Sequence, residues 1–194
     1  MNRREAIERT ALILGYAVSA PAMMGVLKGC KAAPELAYKP VFFTEDQART
    51  VGEVAEIIIP KTETPGAKEA GVPAFIDLML KDVYPQQDKD RFVAGLLEFE
   101  QQTTKMYGDA FIDLDPVKQR EWVKKVHDAA IEVYKKLDEK GRKDKPFILM
   151  TKELTMLGFF TSEPGATKVL QYNPVPGAYH GCLPLAEVGK AWAT

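Results

Sequence analysis

The chain has 194 residues, 46% of them hydrophobic, with 26 basic side chains against 27 acidic ones and a formal charge of -1. That length supports one ordinary hydrophobic core and is short for two large domains, so a single domain is expected. There is no net field to hold a polyanion, and acids are interleaved with bases even in the Lys-rich run from Lys135 to Lys145, so nucleic acid is not expected as a partner. The run itself reads as a solvated helix end turning at Gly141.

The N-terminal stretch MNRREAIERTALILGYAVSAPAMMGVLKGC orders a basic head (Arg3, Arg4, Arg9), a mostly apolar segment from Ala11 to Leu27 broken by Gly15, Pro21 and Gly25, and then a cysteine. That order is the order of an export signal. As a helix the apolar segment would cover about 26 Å against about 30 Å for a hydrocarbon core, and Pro21 would kink it, so a cleaved signal is preferred to a permanent span. Residues 1–29 are therefore read as the signal. Leu27 to Cys30 resembles a lipobox, with Lys28 departing from the usual small or apolar residue, which makes Cys30 the candidate lipidation site. Cleavage after Ala20 or Ala33 would leave a proline directly behind the cut, which disfavours both alternatives. Arg3 and Arg4 resemble the twin-arginine signal, whose machinery carries folded cargo, while Ala6 departs from it; the general export route stays open. Either route places the chain in an exported, periplasmic or membrane-associated setting. Residues 30–41 read as the lipidation cysteine and a polar, proline-bearing tether, and residues 42–194 as the folded domain.

Within that domain, Thr44 and Gln47 form a capping-box pattern, and Ala48, Val51, Val54, Ala55 and Ile58 recur at helical spacing until Pro60. A Pro/Gly loop from Thr62 to Gly71 leads to a second helix that starts at Val72 and Pro73, with Phe75, Ile76, Met79 and Val83 on one face before Pro85. From Asp88 to Tyr107, Phe92, Leu96, Phe99, Thr103 and Met106 alternate steps of three and four, and Gly108 supplies the stop. Asp115 before Pro116 is an N-cap with proline in the first turn, and Val123, Val126, Ala130, Val133 and Leu137 carry the same periodicity to about Asp138. After Pro146, FILMTKELTMLGFF reads as a more buried helix, and Ser162 caps a short one reaching Leu170. No segment alternates with a period of two between hairpin turns. The expectation is an all-α domain of about five or six helices with long irregular connections.

The search for chemistry returns little. A covalent haem needs paired cysteines followed by histidine, and Cys30 and Cys182 are far apart. His127 and His180 have no ligand partners at metal-site spacing, and no glycine-rich turn joins a strand to a helix, so this chain is expected to hold no metal and no cofactor of its own. The acid pairs Asp113/Asp115 and Glu98/Glu100 read as capping and solvated surface, and His127 as a boundary histidine beside its helix's apolar stripe. The segment QYNPVPGAYHGCLPL (Gln171 to Leu185) stands apart, with three prolines, two glycines, two tyrosines, a histidine and a cysteine in fifteen residues. His180 and Cys182 point to opposite sides of an extended segment and no third group orients the histidine, so a thiol nucleophile is not favoured. An extended Pro-rich segment has little backbone entropy left to lose on docking, and Tyr172 and Tyr179 offer large apolar faces with polar tips, so the loop reads as a recognition surface: Tyr172, Pro174, Pro176, Gly177, Tyr179, His180 and Cys182. Were Cys30 lipidated, Cys182 would be left either buried under the loop or free for an intermolecular bond.

Four stretches carry a resemblance: IIIPKTETPGAKEAGVPAFIDLML (Ile57 to Leu80), YGDAFIDLDPVKQ (Tyr107 to Gln119), KELTMLGFFTSEPG (Lys152 to Gly165) and LQYNPVPGAYHGCLPL (Leu170 to Leu185). Together, and in this order, they resemble the gluconate 2-dehydrogenase subunit 3 family. The resemblance implies a small subunit without catalytic residues. Its partner would be a large FAD-dependent subunit of the glucose-methanol-choline type that oxidises a sugar, sugar acid or glycoside and passes electrons to a c-type cytochrome or another acceptor. It implies no cofactor in this chain and a role in assembly, export or stability of the partner; with such a partner present, the leftover thiol of Cys182 becomes a candidate for an intersubunit disulfide. The competing reading is a stand-alone exported lipoprotein that presents the terminal loop to a glycan or a protein.

Overall fold

Thr44 starts the first helix for a local reason. Its hydroxyl accepts from the Gln47 N–H at 3.3 Å while the Gln47 side chain accepts from the Thr44 N–H at 3.0 Å, the reciprocal capping box expected from the sequence. The computed structural model describes residues 36–137, 144–175, 177, 178 and 181–193, all within one compact unit. The export-signal residues Arg3 and Arg4 and the lipidation candidate Cys30 lie outside the described residues.

The helices are α1 (Glu45–Ile58), α2 (Val72–Asp82), α3 (Gln86–Tyr107), α4 (Pro116–Lys135), α5 (Phe147–Phe160) and the short α6 (Leu185–Val188). A 3-10 turn at Phe111–Asp113 precedes α4, and a π-helical turn at Gly165–Val169 follows α5. Among the described residues the only β pairing is one isolated bridge, so the domain is all-α as expected. The expected caps hold: Gly108 closes α3, and the Asp115 side chain accepts from the N–H groups of Val117 and Lys118, both at 3.1 Å, with Pro116 in the first turn. Those N–H groups, Lys118 foremost, hold the Asp115 carboxyl below its ordinary value.

α5 is the central element and packs against α1, α2, α3 and α4. Its sequence permits this, because Ile148, Met150, Leu154 and Phe159 are buried apolar side chains while Thr151 and Thr155 bury their hydroxyls by donating to the carbonyls of Phe147 and Thr151 at 2.9 and 2.7 Å. Two glycines let the neighbours come close: a Cβ on Gly95 of α3 would stand 2.6 Å from Phe147, and one on Gly158 of α5 would stand 2.6 Å from Phe75 of α2. Rings line the core from one end to the other. Phe42, Phe43, Phe92, Phe147, Phe99 and then Phe111 or Trp122 form a chain of ring contacts with centroids 5.0–6.1 Å apart.

The entry to α1 is held by a carboxylate. Asp77, in the middle of α2, is 1% exposed and accepts from three successive backbone N–H groups, Val41 at 2.7 Å, Phe42 at 3.1 Å and Phe43 at 2.8 Å. Just upstream, the Tyr38 hydroxyl donates to the Pro73 carbonyl at 3.2 Å, and burial, with the Asp77 charge second, pushes that phenol well above its ordinary value. Leu36 and Tyr38 pack onto the core, so the end of the segment read as a tether is part of the folded unit.

Periodicity and structure differ at helix ends and at a few positions inside the helices. Val83, Met106 and Val133, expected on buried faces, are 64%, 51% and 59% exposed, whereas Asp77 and Leu80 occupy the inward face of α2. Glu100, read as solvated, instead accepts from the Thr50 hydroxyl and, at 3.3 Å, from the Phe111 N–H, tying α3 to α1 and to the 3-10 turn.

Replacing Asp77 with alanine leaves buried backbone donors without acceptors. The variant is expected to lose roughly 2–4 kcal/mol of stability in urea unfolding, with Asn, which keeps one acceptor oxygen, losing visibly less. Equal losses for the two variants would show that side-chain volume matters there, and not the three hydrogen bonds.

Candidate partner-binding surface

At the π-helical turn after α5, whose N-cap position is Pro164, the Ser162 hydroxyl accepts from the Gly165 N–H at 3.2 Å and donates to the Phe159 carbonyl at 2.6 Å. From this turn the chain runs into the Pro-rich loop. Gln171 closes the loop at its neck: its N–H donates to the Ala191 carbonyl and its own carbonyl accepts from the Ala193 N–H, both at 2.8 Å, forming the bridge to Trp192. The Gln171 side-chain amide also donates to the carbonyls of Val188 and Lys190. Within the loop Asn173 folds back, its side-chain oxygen accepting from the Val175 N–H at 3.1 Å.

The loop so closed has little interior. Tyr172 is 62% exposed, Val175 78% and Trp192 53%, and Pro174, Gly177 and Leu183 are exposed as well. Cys182 is exposed and free, so the alternative of a thiol buried under the loop does not hold. Pro176, Tyr179 and His180 of the expected surface lie outside the described residues. The helix feeding this loop adds apolar surface: Met156, Leu157 and Phe160 near the end of α5 are exposed although most of its apolar side chains are core.

A second apolar surface was not announced by any motif. α3 and α4 diverge around a groove of about 690 Å³ whose lining includes Ala94, Phe99, Trp122, Ala129, Val133 and Phe147. Trp122 is 4% exposed, and its buried indole N–H meets no acceptor among the described residues. Periodicity could have flagged the groove, because the α4 stripe continues through Val133 with nothing among the described residues to cover it. The groove does not fit a dinucleotide. Its lining is mainly apolar, Arg91 is already paired with Asp88 and Asp144, and Lys125 lies over the Trp122 ring at 5.7 Å. Among the described residues no group of three or more His, Cys, Asp or Glu is placed to hold a metal ion, and no helix is long and apolar enough to cross a membrane. His127 sits half-buried between Asp128 and Lys152.

An all-α unit that leaves large apolar side chains and an open apolar groove on its surface offers area of the kind that another polypeptide can cover. Comparison with protein families agrees: residues 45–177 match the family model described as gluconate 2-dehydrogenase subunit 3, and the chain belongs to this family. The match runs from the start of α1 into the loop and stops before Cys182. No curated protein and no solved structure matches the chain.

Gln171 carries the loop's closure, and its role is separable from the core. Gln171→Leu is expected to speed chymotryptic cleavage within residues 172–191 by about tenfold while shifting the urea unfolding of the helical body by less than about 0.5 kcal/mol. Unchanged cleavage would mean that the backbone bridge to Trp192 alone holds the neck.

Proposed function

We propose that the chain is the non-catalytic small subunit of an exported dehydrogenase complex, supporting the assembly, export or stability of a large FAD-dependent subunit of the glucose-methanol-choline type. The flavin and the reacting groups belong to that partner, whose substrate is a sugar, sugar acid or glycoside and whose electrons pass to a c-type cytochrome or another acceptor. The observation that carries this reading is the uncovered apolar surface at the end of α5 and in the loop that follows, on a chain of the subunit 3 family. Burying Tyr172, Val175, Leu183 and Trp192 against a partner would gain on the order of 1.5–3 kcal/mol per large side chain before association costs.

The exposed Cys182 thiol faces an oxidising compartment in this reading. It would join a partner cysteine, the two thiols losing two protons and two electrons to the thiol-oxidising system of that compartment and leaving one S–S bond. Non-reducing electrophoresis of the native complex is expected to show one band near the summed mass, which reductant splits in two and which Cys182→Ser lacks. Two separate bands without reductant would rule out the covalent link, and recovery of this chain without a flavoprotein would rule out the accessory role.

Export follows from the same logic. A flavoprotein acquires its cofactor before it leaves the cytoplasm, and a route for folded cargo lets one signal-bearing subunit carry a partner that has none. Replacing Arg3 and Arg4 together with lysine is expected to strand both subunits in the cytoplasm, and Cys30→Ala to release a soluble exported form. A partner that still reaches the periplasm would end the carrier role.

A further inference from the structure

On the face of α4 away from the Trp122 groove, a smaller cleft of about 230 Å³ opens between α1, α4 and α5. Its apolar lining is Ile57, Ile58, Val123 and Ile148; its polar lining is Arg120, Lys124, His127 and Lys152, with no aspartate or glutamate. Arg120, Lys124 and His127 recur at steps of four and three along α4, which sets them on one side of the helix, and Lys152 meets them from α5.

Among the described residues, the cations of this chain divide between paired and unpaired ones, Lys81, Lys105 and Lys190 being among those without a carboxylate partner. Arg49, Lys61, Lys68, Arg91 and Lys145 all have carboxylate partners. Arg120, Lys124 and Lys152 have none among the described residues. Lys152 makes a single hydrogen bond, from Nζ to His127 Nε2 at 3.1 Å. An ammonium group only donates, so Nε2 accepts, and the ring's proton is on Nδ1, 3.2 Å from Asp128 Oδ1. Asp128 is thus engaged on the far side of the ring and does not line the cleft. Three like charges gathered around an apolar floor repel one another, and an anion entering there would relieve that repulsion.

The size and floor of the cleft choose among anions. At 230 Å³ it falls below the range of about 300–1,000 Å³ typical of sites for drug-sized ligands, so a nucleotide or flavin is too large. A hydrated phosphate gains nothing from Ile57, Ile58, Val123 and Ile148, whereas a carboxylate on a short apolar stem would seat the stem on them and the charge among the cations. The geometry points to a carboxylate-binding socket, filled in the assembled complex by an acidic side chain of the large subunit; this last step depends on the accessory-subunit reading, while the socket itself does not.

Two measurements separate the socket from its occupant. In the full chain, sodium butyrate is the probe, read by NMR on the His127 ring carbons. A saturable shift that Arg120→Glu/Lys124→Glu abolishes, and that Lys152→Met weakens, is expected; no shift in the wild-type chain overturns the socket. In the native complex, the same double variant is expected to weaken subunit association by about tenfold or more at low salt, with the difference shrinking at high salt, while charge reversal at the exposed Lys105 changes it little. Wild-type association of the double variant, beside a positive butyrate result, overturns the partner as the source and assigns the socket to a free small carboxylate. A wild-type chain that binds no flavoprotein at all overturns the accessory-subunit reading, and the butyrate result then decides the socket alone.

Discussion

One buried carboxylate decides how this domain begins. A charged group in an apolar interior is tolerated only when its oxygens are filled, and Asp77 fills them with three consecutive backbone N–H groups from the bend that leads into α1. The exchange is mutual, since those N–H groups precede a helix and have no sheet to pair with. By holding Val41 to Phe43 against α2, the carboxylate sets where Phe43 enters the core, and Phe43 begins the chain of rings that passes through Phe92 and Phe147 to Trp122. The register of α1 against α2 and the floor of the α3–α4 groove therefore share one anchor.

The same helix, α4, separates two surfaces of opposite character. One side carries Trp122, Val126, Ala129 and Val133 into an apolar groove; the other carries Arg120, Lys124 and His127 into a cationic cleft. An interface made from both would draw its area from the first and its orientation from the second, because apolar burial is indifferent to direction while charge placement is not. The terminal loop adds a third region, built on a neck and not on a helix.

Local signals in the sequence translated well into structure, and non-local ones did not. Thr44 with Gln47, Asp115 with Pro116, and Gly108 each act within one turn, so their residue types suffice to place helix boundaries. Apolar periodicity identified the inward face of each helix but not how far its neighbours reach, which is why Val83, Met106 and Val133 proved exposed at helix ends. Asp77 was invisible for a related reason: a carboxylate inside AFIDLML can turn inward only because partners some 35 residues upstream arrive to satisfy it. The irregular, exposed character of the described part of QYNPVPGAYHGCLPL was legible from composition. Its closure through Gln171 and Trp192 was not, since no pattern marks that pair, and the cleft at His127 needed Lys152 from a different helix.

The neck of the loop also bears on the timing of synthesis. Gln171 has no bridge partner until Trp192 and its neighbours have left the ribosome, by which point α1 to α5 can already have packed. A helical body that folds early and a loop that closes late would make anything that depends on the closed loop an event of the finished chain. A premature stop upstream of Trp192 would then yield a folded core with an open, unclosed loop. Such a product would pass a test of core folding and still lack part of the surface by which a partner could recognise it.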